Sequence, residues 1–148
     1  MPTARIFVAT VFGGALDVAE EIAPLLREAG FEVTIFDQPV LEALTDPLPD
    51  LALFCISTTG CGDFPGNFVA FVQALDERGA ALQGLRYGLI AMGDSSYPTF
   101  CGAGRRLDGL LAEYGAKRLG ERLEIDAMEV LHPDEEGVAW AERWIEQL

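Results

Sequence analysis

The part of this sequence best suited to bind an anion is a glycine-rich stretch, Thr10–Ala15 (TVFGGA), between a strand-like and a helix-like segment. The amides that begin a helix lack partners within it and lie at the positive end of its dipole, so they favour an anion. Gly13 and Gly14 would let the backbone close around that anion, and the Thr10 hydroxyl would add a donor. The stretch is a candidate phosphate site, although a Gly-Gly pair at such a junction is also typical of a simple tight turn.

Two further loops have the composition of a site for a flat, polar ring. Ser57–Asn67 (STTGCGDFPGN) is rich in turn-forming residues, and its glycines would let backbone amides and carbonyls approach a ligand closely. Gly93–Gly104 (GDSSYPTFCGAG) places Tyr97 and Phe100 in an otherwise polar loop, where a planar ligand could stack on an aromatic ring. The alternative reading is that both loops are ordinary turn-rich connections.

Other chemistries find little support in the sequence. The glycine-rich stretch lacks the GxGxxG pattern and the P-loop lysine, which disfavours a dinucleotide or a nucleoside triphosphate as ligand. His132 is the only histidine and precedes Pro133, a position more typical of a helix entry than of a general base. The three cysteines, Cys55, Cys61 and Cys101, form no CxxC pair, which argues against a zinc site or a disulfide framework. We therefore expect no catalytic residue and no metal ligand.

Strand-like and helix-like segments alternate along the chain. Apolar, β-branched runs predict five strands, at Arg5–Thr10, Phe31–Phe36, Leu51–Ser57, Arg86–Met92 and, more polar and suited to a sheet edge, Leu119–Asp126. Apolar residues at three- and four-residue steps predict four helices, over Ala15–Ala29, Phe68–Leu75, Leu107–Tyr114 and Val138–Leu148. This alternation predicts an α/β fold, a doubly wound sandwich around a five-stranded parallel sheet. Ligands of such folds bind beyond the carboxyl ends of the strands, where the three loops lie.

Length and charge narrow the class of protein. The 148 residues are enough for one domain, 1–148, and no apolar run approaches the roughly 20 residues that span a bilayer. The chain has 24 Asp and Glu against 10 Lys and Arg, a net charge of -14, which repels nucleic acid and anionic membranes and attracts a partner with a basic face. The alternative is that the acidic residues only keep the protein soluble. Without a signal segment, a cytoplasmic monomer is expected.

Three motifs at these loops resemble those of a known family. Gly93–Tyr97 and Phe100–Ala103 (GDSSY and FCGA) resemble a specific segment of the short-chain flavodoxins. Ser57–Asp63 (STTGCGD) and Phe12–Ala15 (FGGA) resemble the loops of the MioC group of the same family. The resemblance covers nearly the whole chain and implies a flavodoxin-like sheet of strand order 2-1-3-4-5.

The resemblance implies that the chain binds one FMN and carries electrons, without being an enzyme. The first loop would hold the phosphate, and the other two would enclose the isoalloxazine ring. Tyr97 matches the tyrosine that stacks on the outer face of the ring, the amides of Asp94 and Cys101 match those at its pyrimidine edge, and Gly60 matches the residue whose carbonyl turns toward N5. The full set of candidate cofactor-binding residues is Thr10, Val11, Phe12, Gly13, Gly14, Ala15, Thr58, Thr59, Gly60, Cys61, Gly62, Asp63, Gly93, Asp94, Tyr97, Phe100 and Cys101.

The resemblance also implies redox partners with basic faces, such as a ferredoxin-type NADP reductase as donor, and acceptor enzymes. Two departures from the family pattern point to weaker FMN binding. Phe12 and Ala15 occupy positions that usually carry hydroxyl groups, and Thr59 stands where many flavodoxins have a Trp or Tyr on the inner face of the ring. The alternatives are an FMN-dependent NAD(P)H:quinone reductase and a flavin-free regulatory module of the same fold.

Overall fold

The computed structural model describes residues 2–10, 13–45, 48–58, 64–78, 82–93, 101–126, 129 and 132–148. Strands and helices alternate as the sequence predicts. In chain order the elements are β1 (Thr3–Ala9), α1 (Gly14–Glu28), β2 (Glu32–Phe36), α2 (Glu42–Thr45), β3 (Leu51–Ser57), α3 (Gly66–Arg78), β4 (Arg86–Gly93), α4 (Gly102–Glu113), β5 (Lys117–Arg118), β6 (Leu123–Asp126) and α5 (Pro133–Ile145).

All described strand pairs are parallel and follow the order β2-β1-β3-β4-β5, with β6 also paired to β4. This confirms the predicted α/β class and the strand order 2-1-3-4-5. The central strand β3 has the predicted bounds, and six of its seven residues are buried. A strand so apolar needs cover on both faces, which the helices provide.

The fifth strand differs from the prediction. One edge strand was expected over Leu119–Asp126, but two short strands, β5 and β6, both pair with β4. Between them Gly120 has a φ of +72°, which breaks the extended conformation. The Leu119 carbonyl accepts a hydrogen bond from the indole N–H of Trp144 at 3.0 Å. The strand is therefore interrupted where its backbone bonds to a helix side chain.

Two helical segments also differ from the sequence pattern. The proline-containing connection 38–50, where the apolar pattern predicts no helix, contains the one-turn helix α2. The last helix begins at Pro133, five residues before the apolar pattern at Val138, because a proline fits the first turn and three acidic residues there favour the helix dipole. His132 occupies the N-cap of α5, which confirms its interpretation as a helix-entry residue.

The helices form two layers around two separate cores. α1 and α5 cover one face of the sheet, over mainly aliphatic side chains. α3 and α4 cover the other face, where Phe7 and Phe54 stack at 5.2 Å and Phe68 and Phe71 stack at 4.6 Å. No helix in the described part of the chain is long and apolar enough to cross a bilayer.

A stacked tryptophan pair joins α5 to the sheet. The rings of Trp140 and Trp144, four residues apart on one helix, stack 5.0 Å apart, and both side chains are buried, so the pair serves in packing. They fit over β4 because Gly88 has no side chain, and a Cβ there would lie 2.5 Å from Cζ2 of Trp144.

We predict that Gly88→Ala destabilises the protein by about 1–3 kcal/mol, since the new methyl group must displace the indole. Gly109→Ala is the matched control, because Gly109 lies in α4 with no atom within 4 Å of its would-be Cβ. That change should stabilise the protein by about 0.5–1 kcal/mol, the helix preference of alanine over glycine. Urea unfolding of both variants measures the difference, and equal stabilities would contradict the packing argument.

Candidate cofactor site

The three chemically suggestive loops leave one edge of the sheet side by side. β1, β3 and β4 are neighbours, and their carboxyl ends are level, with Ala9 paired to Ile56 and Ser57 paired to Met92. The chain turns to β2 on one side of β1 and to β3 on the other, so this edge includes the topological switch point. Open α/β sheets bind their ligands at this point.

The first loop ends in a turn that presents helix amides. Gly13 is the N-cap of α1 with a φ of +88°, a conformation that favours glycine. The first intrahelical bond runs from the Asp17 amide to the Gly13 carbonyl at 3.0 Å. The amides of Gly14, Ala15 and Leu16 precede that bond and have no acceptor within the helix. These amides can hold an anion without a basic side chain.

Thr10 braces this turn. Its Oγ1 accepts a hydrogen bond from the Gly13 amide at 2.8 Å, so that amide is already engaged. The hydroxyl proton of Thr10 remains able to donate to an anion. Ala15 is fully buried, whereas Gly14 is exposed, so Gly14 is the more accessible of the two residues. The predicted phosphate loop thus keeps two kinds of donor, helix amides and one hydroxyl.

Sequence reasoning did not single out Asn67, which the structure places at the centre of this edge. Its Oδ1 accepts a hydrogen bond from the Thr10 amide at 3.0 Å. Its Nδ2 donates to the carbonyls of Val8 and Asp37, both at 2.9 Å. The only signal in the sequence was a polar residue in the first turn of a helix after a glycine-rich loop.

The second and third loops are joined through their described ends. The amide of Ala103 in α4 donates to Oγ1 of Thr58, just after β3, at 3.3 Å. Cys101 is the N-cap of α4 with a φ of +54°, rare for a residue with a side chain. A Cβ on Gly93 would lie 2.7 Å from the Cys101 nitrogen, so the two backbones approach as only glycine allows.

Ion pairs fix α4 beside these loops. Arg105 donates to both carboxylate oxygens of Glu124, at 2.7 and 2.9 Å, and this bond is the main cause of the lowered pKa of Glu124. Arg122 contacts Glu124 at 3.2 Å and the buried Asp108 at 2.5 Å. Arg118 also pairs with Asp108. The network links α4 to the strands β5 and β6 and to the segment between them.

Ten of the predicted site residues lie outside the described part of the structure. They are Val11, Phe12, Thr59, Gly60, Cys61, Gly62, Asp63, Asp94, Tyr97 and Phe100. The other seven, Thr10, Gly13, Gly14, Ala15, Thr58, Gly93 and Cys101, lie along the edge formed by the ends of β1, β3 and β4.

Comparison with known proteins decides the family. Residues 6–140 match the family model described as Flavodoxin. The chain is 48% identical to flavodoxin YqcA of Pectobacterium carotovorum over 141 residues, covering 94% of this chain and 92% of that one. It is 38% identical to protein MioC of Escherichia coli over 139 residues, covering 94% and 93%. A solved mutant of a flavodoxin from Pseudomonas aeruginosa superposes with a TM-score of 0.91 at 32% identity, covering 99% and 98%.

This chain belongs to the flavodoxin family. It is accordingly an FMN-binding electron-transfer protein, a carrier of electrons rather than an enzyme. Neither the quinone reductase nor the flavin-free module is favoured by the proteins it resembles. Its partners are redox proteins such as reductases.

The described residues fit FMN. The αL turn at Gly13 and the first amides of α1, which have no acceptor within the helix, suit a phosphate. The close approach of Gly93 to Cys101 brings two backbone segments together where they can contact a ligand. Among the described residues, no group of three His, Cys, Asp or Glu side chains could hold a metal ion. The structure thus supports an organic, phosphorylated cofactor at this edge.

A groove lined mainly by acidic residues lies beside the site. A groove of about 320 Å³ lies between the N-terminal ends of α1 and α5, lined by Gly14, Pro133 and the four acidic residues Asp17, Glu20, Glu21 and Asp134. Four carboxylates make this groove unsuited to an anionic ligand. It forms part of the acidic surface beside the cofactor edge.

Burial makes the thiols of Cys55 and Cys101 poor nucleophiles. Burial raises the pKa of Cys55 to about 12 and that of Cys101 to about 12, the latter helped by the charge of Glu124. The Cys101 thiol donates to the Ala91 carbonyl at 3.6 Å. Both therefore remain protonated at neutral pH, and Cys55 packs in the core as a small buried hydrophobic residue.

We predict that iodoacetamide at pH 8 modifies neither Cys55 nor Cys101 in the folded protein, whereas both react in guanidinium chloride. The unfolded thiols lose their protons from about pH 9, but the folded ones do not until about pH 12, so the free energy of unfolding should fall over that interval. Peptide mass spectrometry and urea unfolding measure the two effects. Rapid labelling of either cysteine in the native state would show that its thiol is accessible.

Proposed function

We propose that residues 1–148 form a single domain in which the three loops hold one FMN at the carboxyl edge of the sheet. The amides of Gly14 and Ala15 and the hydroxyl of Thr10 bind its phosphate. The observation that carries this proposal is the turn at Gly13, because it starts α1 at the switch point of the sheet with amides that have no acceptor within the helix.

The isoalloxazine ring lies between the second and third loops in this proposal. Tyr97 stacks on its outer face, the amides of Asp94 and Cys101 meet its pyrimidine edge, and Gly60 faces N5, as the family pattern implies. The Thr58–Ala103 hydrogen bond supports this arrangement, because it ties the ends of the two loops together. Thr59 leaves the inner face of the ring without an aromatic partner.

The bound FMN accepts and releases electrons, and the chain contributes binding and orientation. The α1 amides and Thr10 hold the phosphate, and the Asn67 and Thr58 hydrogen bonds hold the loops in register. The ion pairs of Arg105 and Arg122 fix α4 at the third loop. Electron transfer then requires only that a partner approach the exposed edge of the ring, so no general acid or base is needed.

We propose that its partners are basic-faced redox proteins in the cytoplasm, a ferredoxin-type NADP reductase as donor and acceptor enzymes beyond it, which this chain meets as a monomer. The distribution of charge supports this. α1 and α5 together carry eight Asp and Glu against two arginines, whereas α3 and α4 carry four against three. The acidic layer includes the groove beside the cofactor edge. A basic surface is therefore drawn to the layer of α1 and α5, beside the proposed phosphate loop.

We predict that Thr10→Val lowers the affinity of the apoprotein for FMN about tenfold, because a hydrogen bond to a charged group contributes about 1.5–3 kcal/mol. Riboflavin, which has no phosphate, should bind both proteins equally. Thr45→Val is the control, since the Thr45 hydroxyl donates to the carbonyl of Leu41, the residue before α2, away from the proposed site. Quenching of flavin fluorescence gives the dissociation constants.

The wild-type protein provides the test of the proposal itself. It should bind FMN, retain flavin absorption bands after desalting, and bind riboflavin more weakly. Absence of any fluorescence quenching by the apoprotein would contradict the cofactor assignment. Equal affinity for the two flavins would contradict the phosphate site alone.

We predict that the double change Glu20→Lys and Glu21→Lys slows reduction of the bound FMN by a ferredoxin-type NADP reductase about tenfold at low ionic strength. Both residues are exposed on the acidic layer. Glu77→Lys with Glu113→Lys makes the same change of net charge on α3 and α4 and should have a much smaller effect. Stopped-flow kinetics at several salt concentrations measure the rates, and equal slowing by both pairs would exclude a specific docking face.

A further inference from the structure

We propose that Asn67 is a positioning residue for the FMN phosphate, acting through Thr10 rather than by contact with the cofactor. The inference rests on the phosphate site proposed above. Its basis is the carboxamide of Asn67, which makes three hydrogen bonds to the backbone of two separate segments, the end of β1 and the residue after β2.

The bonded groups lie where the sheet begins to open. The β1–β2 pairing ends at Phe7 and Phe36, whereas the β1–β3 pairing continues to Ala9. Val8 therefore lies one residue beyond the last β1–β2 pair, and its carbonyl accepts from Nδ2 of Asn67. The same nitrogen donates to the carbonyl of Asp37, one residue beyond β2. The side chain bridges the two strand ends after their own pairing has stopped.

The hydrogen-bond pattern determines that residue 67 must be an amide. Both Nδ2 protons go to carbonyl oxygens, and Oδ1 accepts from the Thr10 amide. A carboxylate of the same shape would keep the acceptor but lose both donors, and its charge would face two carbonyl oxygens. An aspartate at this position would therefore push the strand ends away from α3.

A continuous path leads from Asn67 to the phosphate cradle. The carboxamide holds the Thr10 amide, and the Thr10 hydroxyl oxygen holds the Gly13 amide at 2.8 Å. Gly13 sets the start of α1 and hence the direction of its unpartnered amides. Although Asn67 ends the second loop, its described side-chain bonds run to the ends of β1 and β2, so displacing its carboxamide should move the phosphate donors more than the ring-binding loops. A selective loss of phosphate recognition follows.

The experiment compares FMN and riboflavin binding to the apoproteins of wild type, N67D, N67A and Q73E. Gln73 is exposed on the same helix, so Q73E makes the same amide-to-acid change without touching the strand ends. We expect N67D to lose at least tenfold in affinity for FMN and less than twofold for riboflavin. Q73E should stay within twofold of wild type for both flavins, and N67A should show a smaller loss confined to FMN.

The pH dependence separates positioning from a general loss of structure. The carbonyl oxygens of Val8 and Asp37 would face the new carboxyl group of N67D and raise its pKa above the ordinary value of about 3.9. N67D then regains a proton to donate as the pH falls, so its FMN affinity relative to wild type should recover between pH 8 and pH 5. N67A should show no such recovery. Taking the ratio to wild type removes the titration of the FMN phosphate itself, and the thermal stability of each apoprotein shows whether it is folded.

Equal losses for FMN and riboflavin in N67D, or an FMN affinity within twofold of wild type, would overturn the role of Asn67. A ratio to wild type that stays flat between pH 8 and pH 5 would also overturn it. If wild type itself fails to prefer FMN over riboflavin, the phosphate site is wrong. That failure appears in the wild-type measurements, whereas a failure of the role of Asn67 appears only in the variants. If N67D does not fold, the FMN-only loss in N67A decides the question.

Discussion

The parallel arrangement of the strands is the constraint on which the rest of this structure depends. Because every described strand pair is parallel, β1, β3 and β4 end at the same edge. Each must then be followed by a crossover, and the loops that begin those crossovers meet there. The near-complete burial of β3 makes this sheet stable only with helices on both faces. The covering helices in turn present their N-terminal ends at the loop edge.

In the proposed phosphate site, backbone amides take the place of the basic side chains that bind the anion in many phosphate sites. The chain has a net charge of -14, and its phosphate loop contains no Lys or Arg. Positive potential instead comes from the start of α1, where Gly13 turns the chain so that successive amides point outward. Thr10 and Asn67 hold that turn by hydrogen bonds rather than by charge. The proposed site can thus bind an anion while the surrounding acidic surface attracts a partner with a basic face.

The two helical layers differ in the role of their charged residues. The layer of α1 and α5 carries most of the helical negative charge, whereas α4 is held in place by ion pairs among Arg105, Arg122, Glu124 and Asp108. Asp108 is buried with Tyr87 donating to it at 2.5 Å, so its charge is compensated rather than displayed. The acidic residues of α1 and α5 thus face the solvent, whereas the charged residues of α4 form ion pairs that stabilise the fold.

The sequence by itself determined the alternation of strands and helices, the bounds of β3, the class of the fold and the loops of the proposed site. These features depend on local patterns, namely apolar periodicity and the placing of glycines, that need no knowledge of distant contacts. Motif resemblance added the cofactor. The tertiary structure decided that the fifth strand divides at Gly120, that acidic residues segregate to one layer, and that Asn67 bonds to Val8 and Thr10, 59 and 57 residues away. A side chain's hydrogen bonds to remote backbone exist only once packing has brought the segments together, so no local pattern can encode them.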